Sequence, residues 1–340
     1  MPPRLSVIVL AYNRTQYLTT GVASALHQTL PRDQYEILVF KNFENEWIDS
    51  YLAAHGVRTL TSEPSARPRT MRTVLEEAKG DVLCFLDDDD LYLPEKLEAV
   101  DREFSRDPTL GYYHNGFQVV DEELRPFASA PFPQTRERLV IPAADPHTRS
   151  LPRNVLRLGY NTSSVSIRRG WLDPFLPYFE TREAELSDAM DLTTALLSGW
   201  TFLADPRVLT QYRYHDSWTN VLQYTPESVG RVAEWDTLNL RLLDMIADLA
   251  VGTTLAPLVD EDRDYVRFHK SIFVEEETWR PRLSDVARFL ASGVRQWYLA
   301  PFYLTPLHLL ARYSHPSAQR TYFRLADVYR RYSFRRPAGS

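Results

Sequence analysis

The order of apolar runs predicts an α/β protein: a Rossmann-like, mostly parallel central sheet flanked by helices, followed by a helical C-terminal extension. Three observations predict it. Short β-rich apolar runs alternate with segments of helical spacing over the first 120 residues. Glycines close several of the helical segments. From about Pro226 only helical spacing remains, so we place an α/β domain at 1–225 and a helical region at 226–340.

Leu5 to Ala11 reads as the first buried strand, followed by a helix with Leu18, Val22, Ala25 and Leu26 on one face. Glu36 to Phe40 is a second strand. Ile48, Tyr51 and Leu52 mark a helix that Gly56 can close, and Val57 to Leu60 is a third strand. Met71, Val74, Leu75 and Ala78 line another helix, ended by Gly80, before the strand Asp81 to Leu86. Gly111 to Val120 is a further strand. The stretch from Pro126 to Pro152 reads as a long functional loop. Ser163 to Ile167 is a strand, Glu183 to Leu197 a helix, and Val208 to Tyr214 the last strand. Beyond it Val232, Trp235, Leu238, Leu242 and Met245 repeat at helical spacing.

The 340 residues, 44% hydrophobic, exceed one ordinary domain and suffice for a large core. Cys84 is the sole cysteine, so no disulfide framework is available, which fits a reducing compartment. No window offers the roughly 18 to 20 apolar residues of a membrane span. Met1 to Arg4 lacks the pattern of a signal peptide, and the expectation is a cytoplasmic protein, with peripheral attachment at the inner face of the membrane as an extension of it. The net charge of −6 is unevenly spread. Residues 280–340 hold eleven Arg, no Lys and two acids, a net +9 against −15 for the remainder. The strongly acidic remainder argues against nucleic acid as a partner.

Asp87, Asp88, Asp89 and Asp90 follow the run Val82 to Leu86 without a break and precede a helix starting near Pro94. Four carboxylates at the carboxyl end of a buried strand repel one another, and a divalent cation with oxygen ligands offsets that repulsion. Such a cation bridges phosphates and neutralises charge on a leaving diphosphate. The plainer reading is a solvated turn that caps the next helix. Placement at a strand end in a parallel sheet, where ligands bind, favours function.

The run Leu5-Ser6-Val7-Ile8-Val9-Leu10-Ala11-Tyr12-Asn13-Arg14, with Gly80 to Asp90 and Pro94-Glu95-Lys96-Leu97 downstream, resembles the family 2 glycosyltransferases of the GT-A fold. The resemblance covers about residues 4–220. It implies an inverting enzyme that binds a nucleotide-diphosphate sugar with Mg or Mn. It also implies Asp87 and Asp89 as an Asp-x-Asp pair, Asp89 being the direct metal ligand and Asp87 or Asp88 lying nearer the ribose and phosphates. Ala11 and Tyr12 then border the base, Arg14 belongs to the donor loop, and Arg69 or Arg72 approaches the nucleotide. Where the family usually carries two acids after the second strand, this chain has Lys41-Asn42-Phe43. Asn42 can accept from a ring N–H without carrying charge. The alternative is that Lys41 and Asn42 are only turn residues.

Inverting transfer needs a base for the acceptor hydroxyl. The segment Glu183 to Leu192 resembles the family region that supplies it, with Asp188 as first choice and Asp191 and Glu185 in reserve; a helix cap accounts for Asp188 as well. Val208 to His215 is similar to a family strand ending in Tyr-Arg-x-His, which implies His215 at the metal or diphosphate and Arg213 at phosphate. Residues 297–310 are aromatic and apolar, with Arg288, Arg295, Arg312, Arg320 and Arg324 around them and Arg330, Arg331, Arg335 and Arg336 beyond. Such a surface suits anionic lipid, and hence a lipid-linked or glycan acceptor; packing against the catalytic domain or a second subunit is the alternative. Two other functions compete. A sugar nucleotidyltransferase normally has a Gly-rich loop after the first strand, and Leu10 to Arg14 contains no glycine. A non-catalytic sugar-nucleotide binding or scaffolding protein is compatible with Lys41-Asn42.

Overall fold

The computed structural model describes residues 4–61, 73–152, 154–171, 175, 188–215, 224–274, 279–296 and 300–334. The chain divides into two compact units, the first formed by Met1–Pro126, Phe132–Ser150 and Val155–Arg213, the second by Phe127–Pro131, Leu151–Asn154 and Tyr214–Ser340.

Among the described residues the first unit is built on nine strands: β1 (Leu5–Ala11), β2 (Tyr35–Lys41), β3 (Arg58–Thr61), β4 (Val82–Asp87), β5 (Leu91–Tyr92), β6 (Leu110–Val120), β7 (Leu139–Ile141), β8 (Val165–Arg168) and β9 (Thr201–Arg213). They form one sheet in the order β3-β2-β1-β4-β8-β6-β9-β5, with β7 on β9. Strands β3 to β4 are mutually parallel. Beyond them β8 enters antiparallel between β4 and β6, and β6 returns to a parallel pairing with β9. The parallel half is thus the part whose strands alternate with helices in sequence, as a crossover connection requires. Helices α1 (Leu18–Leu26), α2 (Glu46–Ala54), α3 (Lys96–Arg106) and α4 (Asp188–Leu197) belong to this unit.

α1 buries Leu18, Gly21, Val22 and Ala25, spaced i, i+3, i+4 and i+7, the one-faced pattern of a helix laid on a sheet. α2 starts at Asn45, whose side chain accepts from the Ile48 N–H, and its chain reverses at Gly56 with φ +65°. At Gly80 an added Cβ would lie 2.6 Å from the Leu5 carbonyl carbon and the Ser6 nitrogen, so only glycine lets this segment pass the start of β1. β1, β2 and β4 are buried on both faces and share one core with α1, α2 and α3.

Three elements differ from expectation. β7 lies within the stretch read as loop, three residues long and flanked by charged and proline-rich sequence that hides a strand signal. β9 begins at Thr201 rather than near Val208, because Asp205-Pro206 interrupts the apolar pattern while the backbone continues through a bulge opposite Gly116. β5 is two residues long, below any periodicity test.

The second unit contains α5 (Pro226–Ala250), α6 (Ala256–Phe273), α7 (Leu283–Gln296), α8 (Ala300–Ala311) and α9 (His315–Ser333). Pro opens α5, α6 and α9, and the Thr225 and Ser314 hydroxyls cap the first and last of these. Its core is aromatic: Phe268 stacks on Phe289 at 4.4 Å between centroids, and Leu304, Leu307 and Phe323 close around them.

Candidate active site

The chain leaves β1 toward β2 and β3 on one side, then returns as β4 on the other side of β1. That reversal makes the carboxyl ends of β1 and β4 a topological switch point, where two loops part and leave a crevice. Leu10 is opposite Asp87 in register, so Ala11 to Arg14 and Asp87 to Asp90 are the residues that emerge there.

A tight turn shapes the acidic run. The Asp88 N–H donates to the Leu10 carbonyl at 3.2 Å, and the Asp90 N–H donates back to the Asp87 carbonyl at 3.2 Å. The turn sorts four chemically identical side chains into different environments. Asp88 is buried and takes one arm of the Arg14 guanidinium at 2.5 Å, while the other arm reaches Asp89 at 2.5 Å. Burial works against the Arg14 charge, but Asp89 and Asp88 outweigh it and raise its pKa. Asp90 is buried, and its Oδ1 accepts the Arg213 N–H at 2.9 Å. Its Oδ2 is buried without a hydrogen-bond partner. Burial pushes Asp90 well above the usual carboxylate range, with repulsion from Asp89 and Asp87 adding to it.

Asp87, Asp89 and Asp90 each offer one oxygen, and the three oxygens lie within 4.8 Å of one another. Three carboxylates with oxygens at this separation, one of them on buried Asp90, fit a hard divalent cation. The geometry therefore adds Asp90 to the expected pair of Asp87 and Asp89, and gives Asp88 to Arg14. Sequence reasoning had no means of separating the four, since the turn alone decides which oxygens converge. It also missed Gly21. A Cβ there would stand 3.1 Å from the Asp90 carbonyl and 3.5 Å from that of Asp88, so the glycine lets α1 pack directly under the turn. A glycine on the buried face of a predicted helix was the available signal.

A buried polar chain supports the turn from behind. The Asp87 N–H donates to Ser163 Oγ at 2.9 Å, and Thr210 Oγ1 donates to the Ser163 carbonyl at 3.2 Å. Asn115 Nδ2 donates to Thr210 Oγ1 at 3.0 Å, and Lys96 Nζ donates to Asn115 Oδ1 and, at 3.3 Å, to the Ser164 carbonyl. Lys96, Asn115, Ser163 and Thr210 are fully buried. Burial pushes the Lys96 amine down to about 7.

The remaining predicted residues fall as follows. Ala11 is buried at the end of β1, and the Tyr12 ring beside it is 41% exposed. Asn42 forms a reciprocal pair with Asn13, accepting its N–H at 2.8 Å and donating to its Oδ1 at 2.8 Å, which braces Asn13 at φ +56°. Lys41 turns into the protein, donating to the Phe43 carbonyl and pairing with Asp49 at 3.0 Å. Arg213 Nε donates to the Asp89 carbonyl at 2.7 Å, its Nη1 to the Glu122 carbonyl at 2.5 Å, and its guanidinium lies 4.2 Å over the Tyr17 ring. Those two nitrogens fasten the acidic turn to the loop after β6. His215 lies in the second unit, two residues past β9. Asp188 and Asp191 stand in the first turn of α4, but their side chains, and all of Glu185, Arg69 and Arg72, lie outside the described residues.

A doubly wound sheet with an acidic turn at its switch point is the arrangement expected of a GT-A domain. Residues 6–150 match the family model described as Glycosyl transferase family 2. An uncharacterised glycosyltransferase of Haemophilus influenzae is 30% identical over 135 residues, 36% of this chain and 45% of that protein. Protein CgeD of Bacillus subtilis is 29% identical over 132 residues, 35% of this chain and 30% of its own length. The chain thus spans less than half the length of these curated relatives. In architecture it is similar to residues 1–349 of S. aureus TarS solved with UDP-GlcNAc, with a TM-score of 0.56 at 15% identity over 97% of this chain and 92% of that one. The same protein without that ligand gives 0.52 at 16% identity, over 97% and 91%. Residues 6–150 are therefore similar to the family 2 glycosyltransferases, and the fold is that of GT-A proteins.

Proposed function

We propose that the protein is an inverting, metal-dependent hexosyltransferase that moves a sugar from a nucleotide-diphosphate donor to a hydroxyl of a glycan or lipid-linked acceptor. The observation that carries the reading is the convergence of Asp87, Asp89 and Asp90 at the carboxyl end of β4, opposite the loop that leaves β1. Mn or Mg held by these carboxylates would supply electrostatic stabilisation of the departing diphosphate.

The chain's own groups do the rest. Tyr12 and Ala11 border the base, with the exposed Tyr12 ring as a stacking surface, and Asn42 reaches it from the end of β2. Arg14 belongs to the donor loop, Arg69 or Arg72 is assigned to the nucleotide on the family resemblance alone, and Arg213 adds a cation beside the turn it fastens. Asp88 orients Arg14 through their ion pair. Asp188, or Asp191 or Glu185 in its place, accepts the proton of the acceptor hydroxyl as its oxygen attacks the anomeric carbon from the face opposite the departing diphosphate. Residues 1–225 form the catalytic domain in this reading.

One observation favours a second reading, a non-catalytic sugar-nucleotide binding protein: Asn42, standing where the family usually has an acid, is engaged with Asn13. Thermal unfolding with UDP, GDP, CDP and dTDP, each with and without Mn or Mg, tests the donor site. Stabilisation that needs one nucleotide and metal together, and is lost in Asp89→Ala, supports it; no stabilisation by any nucleotide removes it. Donor hydrolysis by the wild type, lost in Asp188→Asn with binding retained, separates enzyme from binding protein.

A further inference from the structure

The segment rich in aromatic residues and arginine divides in two in the folded chain. Ala300, Leu304, Leu307 and Ala311 of α8, and Ala318 and Phe323 of α9, are buried in the core of the second unit. The opposite sides of the same helices are exposed. On α9, Leu325, Val328, Tyr329 and Tyr332 recur at i, i+3, i+4 and i+7 and are 45%, 52%, 58% and 73% exposed. That spacing is one continuous apolar stripe over two turns. Phe302, Leu309 and Tyr313 make a second exposed row along α8 and its end, at i, i+7 and i+11. Most of the large apolar side chains exposed among the described residues fall between Leu283 and Tyr332. Concentration of this kind marks an interaction surface.

Charge selects the occupant. Arg320, Arg324 and Arg331 are exposed and recur at i, i+4 and i+11, so on helical geometry they line one edge of the α9 stripe, and Arg312 joins them from the end of α8. Asp327 is the acid of α9, and it pairs with Arg331 at 2.7 Å. Two copies meeting through this stripe would bring their arginines together with one acid each to offset them. An anionic bilayer instead takes both features at once, apolar side chains at the acyl boundary and guanidinium groups among the headgroups. No described helix is long and apolar enough to cross a membrane, which leaves contact in the interfacial plane.

We propose that α8 and α9 form a docking surface for anionic phospholipid, with the Leu325–Tyr332 stripe entering the interface and Arg312, Arg320, Arg324 and Arg331 binding headgroups. The inference concerns the second unit alone, and it stands or falls independently of sugar transfer.

The test uses the full chain and vesicles of phosphatidylcholine alone or with about one third phosphatidylglycerol. Because Cys84 is fully buried, Val328→Cys gives a single accessible thiol for an environment-sensitive fluorophore. The expected result is co-sedimentation with the anionic vesicles alone, a rise and blue shift of the label on binding, and release by about 0.5 M NaCl. Arg320→Glu with Arg324→Glu is expected to weaken vesicle binding by at least about 25-fold, near fivefold for each basic residue lost. Leu325→Ser with Tyr329→Ser is expected to abolish the label's response. All four positions are exposed, so circular dichroism should be unchanged in these variants. Absence of binding to anionic vesicles at low salt overturns the proposal. So does a label response that appears without lipid, rises with protein concentration and tracks a dimer in sedimentation equilibrium, since the stripe would then be an interface between copies.

Discussion

Lys96 is a fully buried amine at the first position of α3, and its replacement by Met tests whether the polar chain behind the acidic turn carries a charge. Removal from water pushes its pKa from 10.5 to about 7, only partly opposed by Cys84 and Asp205. Between those pH values the unfolded chain binds a proton that the folded chain releases, so this group makes stability rise with pH across the window. Below about pH 7 both states are protonated and the penalty is fully developed, roughly 5 kcal/mol at 1.36 kcal/mol per pH unit. The loss of Lys96 as donor to Asn115 and Ser164 costs about 1–3 kcal/mol and is nearly independent of pH, because the neutral amine also donates. The expected outcome of guanidinium unfolding at pH 6, 7, 8 and 9 is therefore a converging comparison. From pH 9 down to 7, Lys96→Met should gain about 2 kcal/mol on the wild type, and below pH 6 the difference should be flat. A difference constant from pH 6 to 9 would refute the reasoning, and would mean that the ammonium ion is as well solvated by Asn115 and the Ser164 carbonyl as by water.

Other perturbations read other parts of the site. Gly80→Ala should lower stability by about 2–4 kcal/mol, seen as a reduced melting temperature, because the new Cβ meets β1 backbone rather than a side chain that can move. Arg14→Ala leaves buried Asp88 without the arm that pairs it; since Arg14 is partly exposed, the expected loss is about 1–2 kcal/mol, larger at pH 7 than at pH 4 in matched unfolding curves. On the proposed reading of the donor site, Arg213→Lys should retain the fold but weaken nucleotide binding in the presence of Mn or Mg at least about tenfold by calorimetry, because a single ammonium group cannot hold the Asp89 and Glu122 carbonyls together and lie flat on Tyr17.

Much of the fold was legible because the parallel half of the sheet repeats a local rule: an apolar run, a turn, a one-faced helix. Leu18, Val22 and Ala25 of α1, and Ile48 and Leu52 of α2, announce their burial by spacing alone. The mixed half was harder to read. β8 takes its place between β4 and β6 through pairing with strands about eighty and fifty residues earlier in the chain, information that no window of sequence contains.

At the candidate site the sequence by itself determined composition and address: four consecutive aspartates at the end of a central strand, opposite the loop that leaves the first. It could not determine their division of labour. Which three carboxylates converge depends on the geometry of the turn, and which one Arg14 takes, that Asp90 accepts from Arg213 and that Asn42 braces Asn13 depend on contacts between residues about thirty to 120 positions apart. The same holds for the tail, where the pattern shows an apolar and basic stretch but only packing decides which side of α9 is buried in the core and which is left exposed. Short-range spacing is written in covalent order, whereas the pairing of distant side chains is selected by the free energy of the whole folded chain.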